Sequence, residues 1–255
     1  MEIIGAAALI AVGIVAAAVV YGRSHVIAPA VVPAATASVS ALEAGLPERT
    51  AALARREDAL ARIVAEIEAD GGHATACVVD VTRPEDLRRL IALSVEQFGR
   101  LDALVANAGV ATVAPLAEGT LSDWNRMLDV NLRGVLHGIA AVLPVFSAQG
   151  SGHFVTVTST AAAKWVPGQG VYAASKAGVR ALCEVLRQEV GPEIRATLVC
   201  PGATDTEFTT DPELRARMAA IAMAPDAVAQ AIAYALAQPE NVNIGEIVVR
   251  SAAQP

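Results

Sequence analysis

Clustered positive charge is what this chain most plainly lacks. Its 19 Lys and Arg against 26 Asp and Glu give a formal charge of −7, and no stretch concentrates the basic residues. A phosphate backbone is held by concentrated Lys and Arg, so nucleic acid is excluded as a partner. Cysteine is also sparse: Cys77, Cys183 and Cys200 lie far apart in apolar surroundings without CxxC spacing. They read as buried thiols of a reducing, cytoplasmic compartment. The histidines His25, His73, His137 and His153 make no metal-ligand pattern, so no metal site is expected. Glycine is missing from one telling place, the segment Ser24 to Ser38, "SHVIAPAVVPAATAS".

What is present is apolar and regular. With 54 % apolar residues in 255, the chain can build one large core. The run Ile3 to Val20 carries no charge and reaches the lower length limit for a bilayer span. It reads either as a membrane anchor or as strand and helix of the core. From Ala51 onward, short wholly apolar strands alternate with stretches of helical period. "ALARIVAEIEADGG" stops at a glycine pair, "EDLRRLIALSVEQFG" stops at Gly99, and Thr120 with Asp123 opens a long helix running towards Gln149. "ATACVVDV", "LDALVANAG", "HFVTVTST", "IRATLVCPG" and "GEIVVR" read as strands, with helices over Tyr172 to Val190 and in "DAVAQAIAYALAQ". Such βα units predict a single-domain α/β fold, a Rossmann-like doubly wound parallel sheet covered on both faces. Residues 51–255 form this domain; residues 1–50 are an atypical apolar and Ala/Pro-rich lead.

Ligands of these sheets bind beyond the carboxyl ends of the strands. Those ends carry Asp80, then Asn107 with Ala108 and Gly109, then Ser159, then Pro201 with Gly202. In "VYAASKAGV", Tyr172 and Lys176 stand four apart and share a helix face. An ammonium beside a phenol stabilises the phenolate and lowers the tyrosine pKa towards working pH, which suits acid/base chemistry on a carbonyl or alcohol. Ser159, ending its own strand, is placed to meet the same substrate oxygen.

On "DV" at Asp80, "NAG" at Asn107, "DVNLRG" with Asn131, Ser159, "YAASK" and "PGATDT", in that order and spacing, the chain from about Ala51 onward resembles the short-chain dehydrogenase/reductase (SDR) family. The resemblance implies hydride transfer between a nicotinamide cofactor and a small carbonyl or alcohol. It implies Tyr172 as acid/base, Lys176 as the group that tunes it and holds the nicotinamide ribose, Ser159 as the orienter of the substrate oxygen, and Asn131 beside a proton-relay water. Asp80 and Val81 would meet the adenine, Asn107, Ala108 and Gly109 would flank the cofactor, and Pro201, Gly202, Thr204 and Thr206 would hold its nicotinamide end. Arg55, with Arg56, lies where the second strand gives way to its helix and matches a 2′-phosphate, favouring NADP over NAD. Homodimer or homotetramer contacts through the Trp124–Val142 and Tyr172 helices are also implied.

The family's glycine-rich phosphate loop has no clear counterpart. Counting back from Asp80 places it at Pro29 to Thr36, which has prolines and no glycine; a backbone without free N–H groups cannot approach a pyrophosphate closely. Laying the loop on the extreme N-terminus makes Gly5 its first glycine but puts Leu9 and Ala11 at the other two glycine positions. A start that is not the natural one is the third alternative. Each predicts weakened dinucleotide binding, and the rival function is an SDR-like binding or scaffold protein.

Overall fold

The computed structural model of the chain describes residues 18–22, 49–54, 57–69, 71–206, 208 and 212–254. Seven strands make one sheet: β1 (Ala18–Gly22), β2 (Arg49–Ala54), β3 (His73–Val78), β4 (Ala103–Ala106), β5 (Gly152–Val157), β6 (Ile194–Pro201) and β7 (Glu246–Val249). Their order is β3-β2-β1-β4-β5-β6-β7. The helices are α1 (Glu57–Ala69), α2 (Pro84–Phe98), α3 (Leu121–Leu128), α4 (Gly134–Gln149), α5 (Gly170–Glu189), α6 (Pro212–Ala219) and α7 (Pro225–Leu236), with a π-helical turn Asp129–Arg133 joining α3 to α4.

The punctuation in the sequence does what its chemistry requires. Thr120 caps α3, its Oγ1 accepting from the Asp123 N–H at 3.2 Å. Gly99 closes α2 in the left-handed conformation at φ 80°, its N–H donating to the Val95 carbonyl. Apolar strands with both faces covered form the core. On one face Leu60 and Ile63 of α1 and Val228 and Ile232 of α7 pack on Val105, Val155 and Val199. On the other, Leu90 of α2, Val142 and Phe146 of α4, and Val179 and Leu186 of α5 pack on Leu104, Phe154 and Leu198. The doubly wound α/β architecture is therefore as expected. Residues Leu121–Gln149 are apolar and long enough to span a bilayer, but Val135, Ile139, Val142 and Phe146 of that stretch are core residues.

One strand departs from the parallel pattern. β2 pairs β3, and β4, β5, β6 and β7 pair in turn, all in parallel. β1, third in the order, runs antiparallel to both neighbours, Ala18 opposite Ala106 and Tyr21 opposite Ala103. Its carboxyl end thus lies at the opposite edge from Asn107. Ala18, Val19 and Val20, expected in a helix if the phosphate loop is laid on the extreme N-terminus, are strand. Residues 1–17, and with them Gly5, Leu9 and Ala11, lie outside the described residues, as do Pro29 to Thr36 and Arg55 and Arg56.

Candidate active site

The carboxyl ends of β4, β5 and β6 and the start of α5 converge. β5 delivers Thr158 and Ser159 in extended backbone, Ser159 at φ −168° and ψ 156°. Its Oγ accepts from the Ala161 N–H at 3.1 Å, which holds the hydroxyl at the mouth of the next turn. The Ser159 hydroxyl also interacts with the Tyr172 phenol. Burial raises the Tyr172 pKa above its usual value, and Ser159 opposes that shift.

Lys176, one helical turn beyond Tyr172, is buried at 4 % exposure. Its Nζ donates to the Val157 carbonyl at 3.2 Å and lies 6.0 Å from the centre of the Tyr172 ring. Burial lowers its pKa to about 8. The expectation that this ammonium pulls the tyrosine pKa down is therefore corrected: the phenol is raised, because desolvation dominates and the ammonium is turned towards Val157. Lys176 is held in place from behind by Thr158, whose Oγ1 donates to the Lys176 carbonyl at 3.1 Å.

Asn131 lies in the π-helical turn, fully buried. Its Oδ1 accepts from the Val110 N–H at 2.8 Å, and its Nδ2 donates to the Val110 carbonyl at 2.9 Å and the Ser175 hydroxyl at 3.0 Å. Ser175 in turn donates to the Tyr172 carbonyl at 2.7 Å. The side chain expected beside a relay water is thus bonded to protein, tying the loop after β4 to the helix that carries Tyr172. Single π-helical turns inside helices recur at functional sites, where an added residue re-aims a side chain.

Gly109 is where several of these groups meet. A Cβ there would stand 3.4 Å from Lys176 Nζ, 3.6 Å from Asn131 Oδ1 and 3.7 Å from Phe208 Cε2. Phe208 also meets the Tyr172 ring, with centroids 6.0 Å apart and planes tilted by 59°. Thr206 supports it, Oγ1 accepting from the Phe208 N–H at 3.3 Å. Gly202 donates its N–H to the Val249 carbonyl at 2.8 Å, and a side chain there would collide with Gln254. Thr204 bonds back to the Gly202 carbonyl and bridges to Met223.

Towards β3, Val81, Asn107, Ala108, Val130 and Gly134 line a narrow apolar crevice. A Cβ on Gly134 would approach Val81 Cγ2 to 2.8 Å, so only glycine lets α4 pass this close. His137 fixes the Val81 backbone by donating from Nδ1 to its carbonyl at 2.8 Å, which requires the Nδ1–H tautomer. Asp80 closes a turn, its Oδ1 accepting from the Thr82 N–H at 3.0 Å and hydroxyl at 2.8 Å. The crevice wall, and the side-chain-free approach at Gly109 beside Lys176, fit the adenine and nicotinamide ends of a dinucleotide. Arg55 falls outside the described residues.

Gly134, His137 and Ser175 were not singled out from sequence. Gly134 stands at the end of "DVNLRG", and Ser175 is the polar residue within "YAASK"; nothing local marks His137, whose partner is 56 residues away.

Known proteins resemble this chain over most of its length. A family profile described as short chain dehydrogenase matches residues 34–216. An uncharacterised oxidoreductase of Listeria monocytogenes is 42% identical over 212 residues, covering 79% of this chain and 86% of the relative. A glycine betaine reductase of Emericella nidulans is 38% identical over 210 residues, which is 79% of this chain but 16% of that larger protein. Among solved structures, an alcohol dehydrogenase from the archaeon Thermococcus sibiricus, complexed with 5-hydroxy-NADP, superposes with a TM-score of 0.72 at 30% identity, covering 80% of this chain and 86% of that one. The chain belongs to the short-chain dehydrogenase/reductase family. It is an oxidoreductase of that kind, and the family fold implies a nicotinamide dinucleotide cofactor and a small-molecule substrate.

Proposed function

We propose that the protein is an NADP(H)-dependent reductase of carbonyl compounds, running also as an alcohol dehydrogenase, with Tyr172 as general acid/base. The observation that carries this reading is the convergence of Ser159, at the end of β5, with Tyr172 and buried Lys176, whose Nζ lies 6.0 Å from the centre of the Tyr172 ring. A nicotinamide, when bound, would supply or accept the hydride at the substrate carbon. Tyr172, its pKa raised by burial, is protonated at neutral pH and donates its phenolic proton to the carbonyl oxygen as the alcohol forms. Ser159 donates a hydrogen bond to the same oxygen and fixes its position. Lys176 keeps its ammonium on the Val157 carbonyl, 6.0 Å from the centre of the Tyr172 ring, where it would hold the nicotinamide ribose. Asn131 is a positioning residue here, holding α5 against Val110.

Asp80, Val81, Asn107 and Ala108 would hold the adenine side. Gly109, Lys176, Pro201, Gly202, Thr204 and Thr206 would hold the nicotinamide side. In the sequence, Arg55 supports NADP, as does the NADP analogue bound to the Thermococcus relative; a 7α-hydroxysteroid dehydrogenase at 27% identity was solved with NADH, so NAD is the alternative. Tyr172→Phe tests the reading: turnover should fall about a thousandfold while the melting temperature and NADPH affinity persist. Unchanged turnover overturns it.

One observation favours a second reading, an SDR-like protein that holds dinucleotide weakly. A phosphate-binding turn follows the carboxyl end of a central parallel strand, and β1 runs the other way. Titration with NADPH separates the two, saturation in the micromolar range siding with the enzyme. The enzyme reading also carries a homodimer or homotetramer through α4 and α5, which expose Leu136 and Val185, and a cytoplasmic location, in keeping with three buried free thiols.

A further inference from the structure

We infer that the substrate carries a bulky apolar body, a fused ring or an extended hydrocarbon, which lies on a shelf formed by Val113, Leu116, Trp165 and Val166 beside Tyr172. The inference rests on the reductase reading of the Ser159–Tyr172 site. The shelf residues are 42 %, 61 %, 76 % and 41 % exposed respectively. A lone exposed apolar side chain is ordinary on a protein surface, whereas a contiguous group at the mouth of a site is not.

Val113 and Leu116 are brought against the loop that carries Trp165 and Val166. The loops that leave the carboxyl ends of β4 and β5 are joined by a backbone bond, the Ala114 N–H donating to the Gly168 carbonyl at 2.9 Å. Gly168 turns the second loop at φ 83°, and a Cβ on it would meet Val113 Cγ1 at 3.3 Å. A Cβ on Gly170 would meet Leu116 Cδ2 at 3.0 Å. The shelf is therefore set against the first turn of α5, and Tyr172 stands two residues further along that turn. Phe208 extends the apolar surface over the phenol itself, at 6.0 Å between ring centroids. None of these five side chains carries charge. Such a surface gains by covering apolar area and offers nothing to a phosphate or a second hydroxyl.

The occupant is argued from position. Leu116 stands against Gly170, two residues before Tyr172, and Phe208 against the phenol, so a molecule held by its oxygen at Ser159 and Tyr172 extends along this loop pair.

The test compares wild type, Trp165→Ala and Trp165→Phe on decalone, a bicyclic ketone, and on dihydroxyacetone, a small polar one, by NADPH consumption. Wild type should prefer decalone in kcat/KM, Trp165→Ala should lose about tenfold of that preference through KM, and Trp165→Phe should restore most of it. A wild type that prefers dihydroxyacetone, or a Trp165→Ala variant that keeps the preference, overturns the inference. Tryptophan fluorescence decides it independently of turnover: decalone should quench wild type in a saturable manner and Trp165→Phe much less, and equal responses overturn it. Saturable quenching with no turnover of either ketone upholds the apolar shelf and counts against the reductase reading instead.

Discussion

β5 and β6 run from a closed end to an open one, and the two ends treat their polar groups in opposite ways. At the amino ends, His153 donates from Nε2 to the Thr197 hydroxyl at 2.8 Å, and that hydroxyl donates to the Ile244 carbonyl at 2.6 Å. Asn243 accepts from the Ala196 N–H, and Arg195 donates to the Gln238 and Val242 carbonyls. These bonds tie the strands to the segment before β7. At the carboxyl ends, Ser159, Tyr172 and Lys176 are buried or half-buried on groups that retain capacity: a hydroxyl, a phenol and an ammonium with three donors, one of them on Val157. One pair of strands thus supplies a tie at one end and a reactive cluster at the other. Chemistry resides where hydrogen-bonding capacity is left over, and the sheet's direction decides which end that is.

The largest effect that sharpens this contrast is expected at the open end. Tyr172→Phe should lower kcat about a thousandfold, roughly 4 kcal/mol of barrier, with no loss of melting temperature. The mirror-image substitution is Gly152→Ala at the closed end. The added methyl would overlap the ring of Phe146, which is fully buried. Overpacking of this kind costs about 2 kcal/mol, read as a fall of about 6 °C in Tm, while kcat should stay within twofold. If Gly152→Ala lowered kcat as steeply as stability, the two ends would be coupled and the division would fail.

Much of this division was legible beforehand. The capping pair Thr120 and Asp123, the stop at Gly99 and the apolar runs gave the elements, because caps and periodicity are local properties. Tyr172 and Lys176 were legible for the same reason, being four apart on one helix. The direction of the tyrosine shift was not, because it depends on what buries the phenol and on where Lys176 Nζ points. Nor were the partners of Asn131, which lie 21 and 44 residues away. β1 escaped because "AVVYG" sits in an Ala/Val run that reads equally as helix or strand, and the direction of a strand is set by pairing.

A smaller effect concerns His153, the closed end's one loose group. Its Nδ1 is the only buried side-chain nitrogen or oxygen without a partner among the described residues. Burial, with the Arg195 charge second, lowers its pKa to about 3. The unfolded chain binds a proton there near pH 6.5 and the folded chain does not, so stability should fall as pH drops from 6.5 towards 3. The slope attributable to this site is about 1.4 kcal/mol per pH unit. His153→Asn should flatten the acid limb of a denaturation series by that amount; an unchanged limb would mean that the folded protein takes up the proton after all.

The smallest effect is expected at Arg180, on α5 one turn past Lys176. Its Nη2 donates to Glu246 Oε2 at 2.8 Å, while Glu246 Oε1 accepts from the Cys200 thiol at 3.2 Å. The trio links the helix of the site to β6 and β7, so it resembles the closed end in bonding, yet the Arg180 and Glu246 side chains are 44% and 32% exposed. Water screens an ion pair of that exposure, and Arg180→Gln should cost about 0.5 kcal/mol, vanishing in molar salt. A loss several times larger, persisting in salt, would make this clamp a structural tie of the same rank as His153 and Thr197. The open end would then owe its geometry to a second set of saturated bonds, and the contrast between the two ends would be one of exposure alone.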